Sequence, residues 1–78
     1  MPPQPIKPLD VRGFPPPQPM VMILEAVTWL GAGSSLEILH DRVPHPLYPR
    51  LAERGLLVQT RENGDGTVTL IITRPHQP

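Results

Sequence analysis

Proline placement constrains this chain more than any other feature. Thirteen of its 78 residues are proline, about three times the usual share of roughly 5%. Proline lacks a backbone donor and clashes with helix interiors, so it belongs at element ends, turns and sheet edges. The prolines fall within 2–8, 15–19, 44–49 and 75–78. Residues 20–43 and 50–74 contain none and hold most of the apolar side chains. The prolines therefore punctuate a folded domain and do not mark a disordered one.

The side-chain periods between those marks predict six elements. Ile6 to Arg12 reads as a short strand, because Leu9 and Val11 alternate with Asp10 and Arg12. Pro8 puts that strand at a sheet edge or delays its start. Residues 18–31 read as a helix, since Met20, Ile23, Leu24, Val27 and Leu30 fall on one stripe. Pro17 or Pro19 suits its first turn, and Gly31 and Gly33 suit its end. Met22 and Trp29 fall off the stripe. Ser35 to Asp41 reads as a second strand, with Leu36 and Ile38 opposite Glu37, Leu39 and Asp41. A proline-marked loop leads to a second helix over roughly 46–54. Leu47, Tyr48 and Leu51 form its apolar side, and Gly55 is its left-handed cap. Leu56–Glu62 and Thr67–Thr73 form a hairpin about Asn63-Gly64-Asp65-Gly66.

The order is βαβαββ, an α+β fold. Two helices cover one face of a four-stranded sheet, giving a two-layer α/β sandwich. A right-handed crossover makes the first two strands parallel, and the terminal hairpin makes the sheet mixed. The expected division is a flexible proline-rich leader at 1–5, a single domain at 6–74 and a flexible tail at 75–78.

Composition excludes several chemistries. The chain has no cysteine, so it has no disulfide, thiolate zinc site, iron–sulfur cluster or cysteine nucleophile. That absence fits a cytoplasmic protein. Seven basic and seven acidic side chains balance, which argues against nucleic acid as a partner. No signal-peptide pattern opens the sequence. No run approaches the ~18–20 apolar residues of a membrane helix, so no membrane association is expected.

His40, Asp41 and His45 form the one group that resembles a metal site, because imidazole and carboxylate suit zinc or iron. The plainer alternative is that Asp41 caps loop amides and both histidines are solvated. Asp10 is expected to structure a turn, with Gly13 supplying special backbone geometry; the alternative is a polar site of Asp10 and Arg12 beside the proline-rich loop. No nucleophile–base pair is visible, so neither catalysis nor a cofactor is expected. By parity Leu39, Leu57 and Ile71 lie on the sheet face away from the helices. That face is a candidate surface for a protein partner or a homodimer.

Leu9-Asp10-Val11-Arg12-Gly13-Phe14, followed by prolines and a helix, resembles the opening of the TusA/SirA sulfur-carrier family. The family's signature is L-D-x-x-G-x-x-C-P-x-P, and its element order is also βαβαββ. Leu9, Asp10, Gly13, Pro17 and Pro19 match. Pro16 stands where the carriers hold a persulfide-bearing cysteine at a helix N-terminus. The resemblance thus implies the carriers' scaffold without their sulfur chemistry. It is closer to a cysteine-lacking bacterial branch known as a domain of unknown function. That branch carries a segment like N/H-D-H-D-P-x-P-L. His40, Asp41, Pro44, Pro46, Leu47 and Tyr48 match it, whereas Arg42 and Val43 depart from it. The resemblance implies a non-catalytic module working through protein contacts. Its expected surfaces are the loop of Phe14, Pro16, Pro17 and Pro19, the Pro44–Tyr48 loop, and the open sheet face. The alternative is a metal- or small-ligand-binding accessory domain in a redox or nitrogen-oxide setting, using His40, Asp41 and His45.

Overall fold

Side-chain alternation along two central strands decides which way the sheet faces. The computed structural model describes residues 8–76. Its elements are β1 (Leu9–Asp10), α1 (Gln18–Thr28), β2 (Ser35–His40), α2 (Leu47–Glu53), β3 (Leu57–Glu62) and β4 (Val68–Thr73). The sheet order is β1-β2-β4-β3, with β1 parallel to β2 and both other pairs antiparallel. In β2 and β4, Ile38, His40, Val68, Leu70 and Ile72 are buried on one face. Ile23 and Val27 of α1 and Leu47 and Leu51 of α2 join them in a single core. Each such aliphatic side chain contributes about 1.5–3 kcal/mol by leaving water. Both helices thus cover one face, and the α+β two-layer sandwich expected from the sequence is the fold observed.

The element ends differ from expectation in ways that backbone hydrogen bonds explain. β1 is two residues long, and Ile6 and Lys7 lie outside the described residues. Pro8 has no N–H to donate, and among the described residues beyond β1 only Val11 adds a bond, its N–H donating to the Leu39 carbonyl at 3.0 Å. Helix α1 stops at Thr28, three residues early, because the N–H groups of Trp29 and Leu30 turn to carbonyls three residues back. β2 stops at His40 because Asp41 and Arg42 turn their N–H groups onto the His40 ring. At Gly55 the chain takes φ +71°, and its N–H reaches the Ala52 carbonyl. That conformation suits glycine and closes α2 as expected.

A long-range contact fastens α1 to the sheet. The Arg74 guanidinium, just past β4, donates from Nε to the Leu30 carbonyl at 2.6 Å and from Nη2 to the Val27 carbonyl at 3.0 Å. It thereby gives the Leu30 carbonyl, just past the helix end, its partner, and adds a second donor to the Val27 carbonyl, which already accepts the Leu30 N–H. The Arg74 backbone also pairs with Gly33 and Ser34. The leader at 1–5 and residues 77–78 lie outside the described residues. Of the expected tail, Pro75 is half-buried, and the His76 ring lies against Gly33.

Two stability predictions follow from this packing. Leu70→Ala is expected to cost about 2–5 kcal/mol in urea unfolding, whereas Leu57→Ala stays within about 0.5 kcal/mol, since Leu57 is 61% exposed. Arg74→Ala is expected to cost about 1–3 kcal/mol, because it leaves the Leu30 carbonyl unpaired. Equal costs for Leu70→Ala and Leu57→Ala would contradict the assignment of the two faces.

Candidate functional site

Parallel neighbours end at the same edge of a sheet. The loops that follow β1 and β2 therefore leave the sheet side by side, in the region beyond strand ends where open sheets commonly bind ligands. Between these loops lies a groove of about 220 Å³. Phe14, Pro16, Pro17 and Pro19 form one wall, and Val43, Pro44 and Pro46 form the other. Met20, Ile23 and Leu47 also line it. Among the described residues, His40 and Arg42 supply its only polar side chains. Prolines serve here because their fixed φ angles stiffen both walls. At Gly13 the chain takes φ +82°, which lets the first loop turn between β1 and its proline run.

His40 is 4% exposed, yet its ring has two different ends. Nδ1 accepts the N–H of Asp41 at 2.9 Å and the N–H of Arg42 at 3.3 Å. The same atom lies 3.2 Å from Asp41 Oδ1, a bond that would need the proton on Nδ1. The two backbone donors have no choice of role, so they settle the tautomer: Nδ1 accepts and Nε2 carries the proton. Nε2 has no hydrogen-bond partner among the described residues. No fully buried side-chain polar atom there lacks a partner, so Nε2 meets open space. The space that His40 lines is the groove.

A model of the family described as an uncharacterized conserved protein (DUF2249) matches residues 8–74. The chain belongs to this family. No curated protein matches it. Among solved structures, the DUF2249 chain is similar to a SirA-like protein from Desulfitobacterium hafniense, with 22% identity and a TM-score of 0.75. The likeness covers 87% of this chain and 96% of that one, and it concerns the fold. The family match agrees with the resemblance to a domain of unknown function read from the sequence, and the solved structure agrees with the SirA-like fold that the Leu9–Pro19 segment implied.

The carboxylates tie the DUF2249 domain's loops together. Asp41 Oδ2 accepts the Gly13 N–H at 3.2 Å, linking the two groove loops. That bond lowers the Asp41 pKa, helped by the bond from the Arg42 guanidinium. Asp10 receives the Arg12 guanidinium through both oxygens, at 2.9 and 2.8 Å, and also accepts the Arg12 N–H. The side-chain bonds to Arg12 are the main reason that its pKa falls to about 2.

The structure sorts the residues singled out in the sequence. Phe14, Pro16, Pro17 and Pro19 all line the groove. Leu39, Leu57 and Ile71 share the far sheet face, on a diagonal across β2, β4 and β3. His40, Asp41 and His45 do not converge on a metal, for among the described residues no group of three metal-type side chains comes together. The physical reason is that His40 Nδ1 and the Asp41 carboxylate are already committed to loop N–H groups. His45 is exposed and packs edge-on against Tyr48 with ring centroids 6.2 Å apart. His40 is also buried, contrary to the solvated alternative. What the sequence reading missed is His40's place in the groove. The signal was present, since the parity that turns Leu36 and Ile38 inward turns His40 inward too.

The loop ties carry a pH signature. Both aspartates have folded pKa values below the ordinary value of about 3.9. Their contributions are therefore complete above about pH 4 and disappear as the pH falls through the lowered folded values. The Gly13 amide proton shift, followed by NMR from pH 6 to 2, should stay flat to about pH 4 and move below it. A midpoint at or above pH 4 would contradict the Asp41–Gly13 bond.

Proposed function

We propose that this chain is a non-catalytic binding module that holds a protein partner in the proline-walled groove. The observation that carries the reading is an open, apolar cleft built by two rigid loops in a domain whose core is complete without it. A wall whose backbone is already fixed loses little entropy when something docks on it. The far sheet face suits a partner or a second copy less well. Leu39 and Ile71 there are half-buried among Glu37, Gln59 and Thr69. Asn63 reaches across Thr69 with hydrogen bonds of 3.0 and 3.3 Å, and Ser35 bonds Thr73 at 2.7 Å. Polar pairs therefore break up the aliphatic diagonal.

Persulfide carriage has no place in this reading. Pro16 holds the position of the carriers' thiol, and the chain contains no cysteine. The scaffold supplies a surface at that position in place of a nucleophile.

Affinity capture from the native organism tests the proposal with three baits: wild type, Phe14→Asp and Ile71→Asp. A partner held by wild type and Ile71→Asp but lost by Phe14→Asp is the expected result. A partner lost only by Ile71→Asp would move the function to the sheet face.

A further inference from the structure

Both polar side chains that line the groove, His40 and Arg42, present donors. His40 Nε2–H points into it, and Arg42 lines it with no carboxylate beside it in the lining. Arg42 is 64% exposed and bonds Asp41 through Nε only, at 3.3 Å. Its two terminal nitrogens have no acceptor among the described residues. The first turn of α1 adds a backbone donor. The Gln18 N–H bonds Pro15 and the Val21 N–H bonds Pro17, but the Met20 N–H between them has no acceptor among the described residues. That turn has no acidic side chain and no side-chain cap. A helix start with free N–H groups favours negative charge. The nearest carboxylate, Asp41, lies outside the lining and is held by Gly13 and Arg42.

We propose that the groove takes the C-terminal carboxylate of a protein partner whose last residue is aliphatic. This rests on the reading of the groove as the partner site. One carboxylate answers three donors, and the apolar walls take the last side chain. Size supports a chain end over a cofactor. The volume of about 220 Å³ falls below the ~300–1,000 Å³ usual for small-molecule pockets. The groove is open on one side, so the rest of a chain can leave it. Capture of a terminal carboxylate by positioned N–H groups is a known mode of peptide recognition.

The test is a titration of the ¹⁵N-labelled protein with three probes: N-acetyl-Gly-Gly-Leu as free acid, the same peptide as its C-terminal amide, and isovalerate. The free acid should shift the His40 Nε2 and Met20 amide signals. It should bind roughly tenfold or more tighter than the amide, the ratio expected for a charged hydrogen bond. Arg42→Gln, at an exposed position, should reduce affinity for the acid and leave the amide unchanged. His40→Asn, which keeps an acceptor near the Nδ1 position and removes the groove donor, should do the same. Equal binding of acid and amide in the groove overturns the carboxylate proposal and leaves the groove as a docking site. Isovalerate binding as tightly as the peptide overturns a chain end in favour of a free acid. No shift with any probe overturns the proposal outright, while the Phe14→Asp capture still decides the partner reading separately.

Discussion

The imidazole of His40 holds together the end of the domain where the groove lies. Its Nδ1 takes the N–H groups of Asp41 and Arg42, which stops β2 and sets the direction of the second loop. The Asp41 carboxylate then takes the Gly13 N–H from the first loop. Two loops 28 residues apart are joined through one buried ring and one carboxylate. The bonds that fix Nδ1 as an acceptor also force the proton onto Nε2. Structure and site chemistry therefore have the same cause. A buried polar group survives in an apolar core only when it is satisfied, and His40 is satisfied on the side away from the groove.

The prolines complete this arrangement. Pro16, Pro17 and Pro19 on one side and Pro44 and Pro46 on the other give apolar walls with few backbone donors. A wall built from ordinary residues would present N–H groups needing water or a partner. The side-chain donors are those of His40 and Arg42.

Most of the architecture was legible in the sequence because it rests on local signals. Proline-free blocks, the stripe from Met20 to Leu30 and the Asn63–Gly66 turn each report on their own neighbours. Contacts between distant residues were not legible. Nothing near Arg74 in sequence indicates that it caps α1, 44 residues away from Leu30. Thr69 is buried on the otherwise open face because Asn63 folds back over it, which no alternation pattern encodes. The grouping of His40, Asp41 and His45 failed for a related reason. Closeness in sequence suggested shared ligands, but the loop backbone had already taken the ring nitrogen. Each proline loop was recognised separately, and their meeting across one groove follows from the parallel pairing of β1 with β2.

The central claim is that His40 is anchored through Nδ1 and offers its proton to the groove. A long-range ¹H–¹⁵N correlation spectrum of the uncharged His40 ring tests it directly. The account predicts a protonated Nε2 and an unprotonated, hydrogen-bonded Nδ1. A proton on Nδ1, shared with the Asp41 carboxylate, would contradict it, because the groove would then hold an acceptor where a donor is required.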